Sequence, residues 1–442
     1  MSGDLKLPVA VIGAGPVGLA AAAHLIARGE EPLVLEAGER VGTSIREWSH
    51  VRLFSPWRYV VDGASAELLR KTGWEAPAGD TYPKGGELVE KYLEPLAATP
   101  ELAPRIRFGR RVESVTRLGF DKMKTAGRER APFLLQVRGA DGREEAVLAR
   151  AVIDASGTWT RPNPIGSSGL PAVGERALAG RIFYGPPDVR GAHRTRYAGR
   201  RTLVVGSGHS AFNVLLDLVA LAREAPGTEI VWAVRRPELG AIFGGGKNDG
   251  LAARGELGAR VRSLVESGGV KVVTGFKVTE LRVDDRGVTA VGEDGGLSPV
   301  DEVVATTGFR PDLSLLAELR LALDPAVESP IALAPLIDPN LHSCGTVRPH
   351  GAEELKHPEE GLFIVGMKSY GRAPTFLLLT GYEQVRSVAA ALVGDWEAAR
   401  EVRLELPETG VCSLAPLKEA VEKVAGCCTP APVVARIGAS CC

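Results

Sequence analysis

Val9-Ala10-Val11-Ile12-Gly13-Ala14-Gly15-Pro16-Val17-Gly18 decides the fold of this chain. A short apolar run ends in a glycine turn, and an apolar helical stretch, Leu19 to Ala27, follows it. Gly13 tolerates a sharp strand-to-helix turn. Gly15 lets backbone approach a pyrophosphate, and Gly18 lets helix and strand pack closely. The N–H groups that open such a helix offer positive charge to phosphates. A second strand, Leu33-Val34-Leu35, ends in Glu36. A carboxylate about 20 residues beyond the glycines is placed to accept from ribose hydroxyls. A glycine-rich turn in some other α/β protein is the plainer alternative.

The pattern returns at Leu203-Val204-Val205-Gly206-Ser207-Gly208-His209-Ser210-Ala211, with alanine in the third glycine position. A helix from His209 to Arg223 is expected, then a strand, Ile230 to Val234, that ends in Arg235-Arg236 instead of an acid. Arginines there suit a 2′-phosphate and favour NADPH over NADH, against the plainer reading of a solvated basic pair. Two dinucleotide sites in one chain imply electrons passed between two dinucleotides.

The fold class expected is therefore α/β, with two Rossmann-like three-layer (ββα) dinucleotide-binding domains. At 442 residues the chain is long enough for two or three domains. Residues 1–165 and 305–400 are assigned to one discontinuous domain and 166–304 to an inserted one, leaving 401–442 as a cysteine-rich tail. A formal net charge of −1 argues against nucleic acid as the main partner. No apolar run reaches about 18 residues, so no membrane partner is expected. Met1 to Lys6 lacks a signal-peptide pattern, which makes the cytoplasm the expected compartment. The partner expected is a small-molecule substrate, and a homodimer is compatible with the chain.

These residues resemble the two-dinucleotide flavoproteins, closest to the flavin-containing monooxygenase branch. The resemblance runs over about residues 8–395 and rests on both glycine motifs, Glu36, the Glu39–Trp48 segment, Tyr82-Pro83, Ala155-Ser156-Gly157 and Thr307-Gly308-Phe309-Arg310-Pro311-Asp312. It implies FAD at the first motif (Gly13, Gly15, Pro16, Gly18, Glu36, with Arg40, Trp48, Ala155, Gly157, Thr307, Gly308 and Met367). It implies NADPH at the second, through Gly206, Ser207, Gly208, His209, Ser210, Arg235 and Arg236. Three features depart from the pattern. Phe183-Tyr184-Gly185 is followed by His193 four residues late for Phe-x-Gly-x-x-x-His, Gly42-Thr43 replaces a Gly-Gly pair, and Met367 replaces the acid after the last strand, Gly361 to Gly366. Within the family, Gly366 to Phe376, Pro407 to Cys412 and the paired cysteines look most like flavoproteins encoded beside bacterial arsenic-resistance genes.

Five of the six cysteines, Cys412, Cys427, Cys428, Cys441 and Cys442, fall in the tail. Adjacent cysteines are about 3.8 Å apart at Cα, short of the roughly 4.4–6.8 Å of a relaxed disulfide. Such pairs read as open dithiols, or as pairs that bridge to each other, suited to soft metal or metalloid ions. A dispensable tail is the alternative. Cys344, in His342-Ser343-Cys344-Gly345-Thr346-Val347-Arg348-Pro349-His350, is carried as a candidate catalytic thiol beside the plainer reading of a buried loop cysteine with two surface histidines. Lys368 and Arg372 are candidates to steady reduced flavin or are plain surface charges. The loop Gly244 to Asp249 closes over NADPH or is a hairpin end. The activity expected is FAD- and NADPH-dependent oxidation of a soft small molecule, such as a trivalent arsenical, through a peroxyflavin. The alternatives are NADPH-driven reduction of a thiol-bound metalloid or disulfide, and a metalloid-binding or redox-sensing flavoprotein with slow turnover.

Overall fold

The structure is a computed structural model that describes residues 7–244, 246, 249–341, 349–373 and 376–404. Along the chain the strands are β1 (Val9–Ile12), β2 (Pro32–Leu35), β3 (Ile106–Arg107), β4 (Arg110–Arg117), β5 (Phe133–Gly139), β6 (Glu144–Ala149) and β7 (Ala151–Asp154). Next come β8 (Ile182–Tyr184), β9 (Arg201–Val205), β10 (Glu229–Ala233) and β11 (Lys271–Val273). They are followed by β12 (Glu280–Asp284), β13 (Gly287–Gly292), β14 (Gly295–Gly296), β15 (Glu302–Ala305) and β16 (Leu362–Ile364). Two five-stranded parallel sheets result, ordered β16-β7-β1-β2-β3 and β11-β10-β9-β15-β8, each backed by a three-stranded antiparallel sheet.

The layers follow from the residue pattern. β1 and β7 are buried throughout, as strands covered on both faces must be. The helix Pro16–Ala27 covers one face of the first sheet. Its run of Ala20 to Ala23 is fully buried and lets the helix Leu378–Leu392 lie against it. Ala10, Ile12 and Leu35 point to the other face and pack on Val115, Phe133 and Leu135 of the antiparallel sheet. The second sheet repeats this, with helices His209–Glu224 and Ala252–Glu266 on one face and β12 and β13 on the other. A buried carboxylate fastens β4 near β16: Glu359 accepts from Arg117 Nε at 2.8 Å and Arg128 Nη2 at 2.9 Å. Burial would raise the pKa of Glu359, but these two arginines hold it below the usual range.

A helical stretch runs from Gly85 to Ala97 with a π-turn at Val89–Leu93. Among the described residues no helix is long and apolar enough to cross a membrane.

Candidate active site

Each parallel sheet has one point where the chain leaves adjacent strands in opposite directions, and a crevice opens at the carboxyl ends there. In the first sheet it lies between β1 and β7, whose last residues, Ile12 and Asp154, are in register. In the second it lies between β9 and β15, where Val205 pairs with Ala305. Both glycine turns occupy these points.

At the first turn Gly13 has φ +100°, and a Cβ there would stand 2.9 Å from the Ala155 carbonyl oxygen beyond β7. A Cβ on Gly18 would meet the Gly13 carbonyl oxygen at 1.9 Å. Gly15 behaves differently: no atom lies within 4 Å of its Cβ position, and the helix it opens has no side-chain cap. An uncapped helix start facing open space suits a phosphate. Glu36 accepts from the Ala14 N–H at 2.7 Å and the Gly38 N–H at 2.8 Å, one per oxygen. Each oxygen keeps acceptor capacity for a ribose diol. The residues present therefore fit the adenosine diphosphate part of a dinucleotide. Arg40 is exposed at the rim, while Trp48 is half-buried.

The second turn is built alike. Gly206 has φ +126° and abuts the Thr306 carbonyl oxygen beyond β15, Gly208 opens onto free space at an uncapped helix start, and Ala211 is fully buried. Trp232 Nε1 donates to the Gly206 carbonyl at 2.7 Å and pins the turn. Ser207 and Ser210 flank the helix start, while Arg235 is exposed and donates to the Ser167 carbonyl at 3.1 Å. Arg236 offers its own carbonyl to Gly275 N–H at 2.8 Å. These residues fit a second dinucleotide. Of the loop expected near it, Gly245, Lys247 and Asn248 lie outside the described residues. Its end is fastened by a buried pair, Arg254 to Asp249 at 2.8 Å.

His209 is the first residue of the second helix, and its ring lies 5.1 Å from Phe54 and 6.1 Å from Phe212. Burial first, then the Arg254 charge, pull its pKa down to about 4, with Asp249 opposing. The unfolded chain takes up this proton near pH 6.5 and the folded one only near 4, so acidification through that window favours unfolding. Moving from pH 7.5 to 5 is expected to cost about 2 kcal/mol through this histidine. His357, lowered to about 4 chiefly by burial, adds a similar loss. Denaturant unfolding of His209→Phe should show a flatter pH profile than the wild type. Superimposable profiles would remove His209 from this account.

Two chain crossings join the sheets, residues 155–165 leaving β7 and residues 306–312 leaving β15. They run as a short antiparallel ribbon: Asn163 N–H donates to the Gly308 carbonyl at 2.9 Å, and Arg310 N–H to the Arg161 carbonyl at 3.0 Å. The Thr307 hydroxyl donates to the Asn163 carbonyl at 2.7 Å. Thr307 thus holds the ribbon together, beyond the cofactor contact expected of it. Trp159 stacks on Phe309 at 4.5 Å, with Trp48 at 6.4 Å, and donates from Nε1 to Glu47 at 2.8 Å. Gly185 passes so close that a Cβ would lie 3.0 Å from Trp159.

Lys368 and Arg372, candidates to steady reduced flavin or else plain surface charges, part company. Lys368 lies on a tight 3-10 turn, Gly366–Tyr370, after β16, and its side chain is wholly buried. Its Nζ donates to Asp154 Oδ2 at 2.7 Å and Ser156 Oγ at 2.9 Å, and Ser156 Oγ donates on to Asp154 Oδ1 at 2.6 Å. The ammonium is committed beneath the first glycine turn and is not a surface charge. Arg372 is half-exposed and pairs with Glu328 at 2.8 Å. Met367 is half-buried at the start of the same turn, and Gly157 holds φ +71° in open space. His350, expected at the surface, is buried with its Nε2 2.9 Å from Gln384 Nε2. His193, late by sequence count, still returns its ring to 4.9 Å from Phe183. Cys344 and the tail cysteines Cys412, Cys427, Cys428, Cys441 and Cys442 lie outside the described residues. The aromatic wall and the Lys368 cluster escaped the sequence reading. Trp48 and Ser156 lie within motif stretches, whereas Trp159 carries no motif of its own.

The profile of pyridine nucleotide-disulphide oxidoreductases matches residues 10–331. A ferredoxin–NADP reductase of Salinispora arenicola is 30% identical over 324 residues, covering 72% of this chain and 79% of that protein. Indole-3-pyruvate monooxygenase YUCCA1 of Oryza sativa subsp. japonica is 33% identical over 214 residues, 47% of this chain and 44% of that one. Among solved structures, bacillithiol disulfide reductase from Bacillus cereus superposes with a TM-score of 0.63 at 20% identity, over 90% of this chain and 100% of that one. That likeness is one of fold.

Proposed function

Because the chain belongs to the pyridine nucleotide-disulphide oxidoreductase family, we propose that it is an FAD- and NADPH-dependent monooxygenase acting on a soft nucleophile, with a trivalent arsenical as the substrate class. The observation that carries this reading is that no cysteine precedes Cys344. Among the described residues, the crevice at the first glycine turn is built from residues 13–18, 36 and 154–157, none of which is a cysteine. On this reading, electrons arriving there leave to oxygen. The monooxygenase relative supports this outlet.

FAD, when bound, supplies a two-electron acceptor for the NADPH hydride and the electrons that activate oxygen. The chain's residues bind, orient and exclude water. The Gly13–Gly18 turn and its helix start bind the pyrophosphate, and Glu36 orients the ribose. Gly206 to Ser210 do the same for NADPH, with Arg235 and Arg236 for its 2′-phosphate. Trp159, Phe309 and Trp48 form an apolar wall that keeps water from the reacting face. Lys368 acts from below, by fixing the Ala155–Gly157 turn against Gly13. The arsenic lone pair is the nucleophile, so the oxygen-transfer step needs no general base. The balance is NADPH, a proton, dioxygen and the trivalent arsenical giving NADP+, water and the pentavalent oxide. The tail cysteines would capture the thiophile beforehand.

The second reading, NADPH-driven reduction of a thiol-bound metalloid or a disulfide, is favoured by the tail dithiols and the reductase relative. The FAD-loaded full chain, mixed with NADPH and methylarsenite in an oxygen electrode, separates the two. Oxygen uptake matching pentavalent product one for one is the expected result. Substrate-stimulated NADPH oxidation that persists without oxygen would overturn it in favour of the reductase.

A further inference from the structure

A cavity of about 390 Å³ opens beside the crossing ribbon, within the size range of small-molecule sites. None of its lining residues belongs to either glycine turn. Its walls come from both crossings (Arg161, Pro162, Pro164 and Arg310), from the loop that follows (Leu170, Pro171, Glu175 and Arg176) and from Tyr184 at the end of β8.

The charges do not balance. Three guanidinium groups line the cavity against one carboxylate, whose lone pairs are occupied by neutral donors. Glu175 is buried; its Oε1 accepts from the Ile165 N–H at 3.0 Å and the Tyr184 hydroxyl at 2.6 Å, and its Oε2 from the Ala172 N–H at 2.7 Å. Arg161 is paired with Asp312 at 2.9 Å. Among the described residues Arg310 donates to neutral partners, Asn163 Oδ1 at 2.7 Å and the Gly169 carbonyl at 3.2 Å. Burial first, then the nearby charge of Arg372, with Arg161 adding to them, depresses its pKa, and Glu328 opposes. Arg176 is exposed and makes no hydrogen bond or ion pair among the described residues. The rest of the wall is apolar: three prolines, and Leu170, which is 70% exposed at the mouth.

We propose that this cavity binds a small organic anion with an apolar body. Its carboxylate or phosphate is gripped by Arg310 and Arg176 with help from Arg161, and its body lies on Leu170 and the prolines. Planar guanidinium forks suit both head groups, since each presents paired acceptor oxygens. The anion would supply the negative charge that the cavity lacks. An apolar rim favours an aryl or alkyl ester or acid over a bare inorganic ion.

Isothermal titration calorimetry on the FAD-loaded full chain tests this, with 4-phenylbutyrate, phenyl phosphate, inorganic phosphate and the neutral 4-phenylbutan-1-ol as probes. Every titration is run in saturating NADP+, which removes the dinucleotide site from competition. One organic anion is expected to bind at one per chain, about tenfold more tightly than the alcohol. Whichever anion binds identifies the head group. Arg176→Ala should weaken it about fivefold and Leu170→Ser about threefold, with thermal stability and bound FAD unchanged. The proposal is overturned if neither organic anion binds at millimolar concentration, if the alcohol or inorganic phosphate binds as tightly, or if both variants bind like the wild type.

Discussion

Lys368→Met is expected to destabilise the protein by about 3–5 kcal/mol and to strip it of FAD. Methionine fills nearly the same volume, so the loss is electrical. Asp154 would remain at the end of β7, fully buried, with the Ser156 hydroxyl and N–H, among the described residues, left to satisfy its side chain. A carboxylate in that position either keeps an uncompensated charge or takes up a proton, and both favour unfolding. The turn it governs, Ala155 to Gly157, is the one that leaves no room for a Cβ on Gly13. Slackening it disturbs the pyrophosphate crevice directly. The double variant Asp154→Asn/Lys368→Met removes both charges and should recover most of the stability, because a buried ion pair replaced as a unit costs little. Denaturant unfolding gives the stability, and the flavin-to-protein ratio after gel filtration gives the occupancy. A Lys368→Met protein as stable and as yellow as the wild type would show that the pair is dispensable.

Gly206→Ala is expected to raise the NADPH concentration needed for flavin reduction by about a hundredfold, with FAD content unchanged. Two penalties coincide there. The backbone sits at φ +126°, outside the range of L-residues, and the new methyl would lie 2.4 Å from the Thr306 carbonyl oxygen. The turn has to move, and it carries the helix start at Gly208 with it. Trp232, anchored on the Gly206 carbonyl, resists that movement. The first glycine turn stands on the other sheet and is untouched, so retained FAD reports that the fold is intact. Stopped-flow flavin reduction against NADPH concentration reads the effect. An unchanged concentration dependence would mean that the second turn does not hold NADPH.

Much of this was open to sequence reading because glycine turns are local. Strand, turn, helix and acid lie within residues 9–36, and their backbone demands are written in consecutive residues. Glu36 was legible for the same reason. The Lys368 cluster was not: its partners are 214 and 212 residues away, and a lysine after a strand reads as a solvent charge until the third dimension buries it. Arg372, four residues on, has the same sequence appearance and does lie at the surface. The aromatic wall was hidden similarly, since Trp159 and Phe309 belong to different crossings and meet only through the ribbon. His350 misled because a histidine in a polar stretch looks exposed, whereas Gln384 and Tyr370 enclose it.

The crossing ribbon ties the two nucleotide crevices into one thermodynamic cycle. Each glycine turn rests on the first residues of a crossing, Gly13 on Ala155 and Gly206 on Thr306, and the crossings are bonded to each other at Asn163. The two turns therefore lean on backbone segments that are hydrogen-bonded to each other. Whatever factor FAD imposes on the affinity for NADP+, NADP+ imposes in return on FAD. Flavin retention during dialysis thus becomes a gauge of events at the distant nucleotide, readable without any turnover.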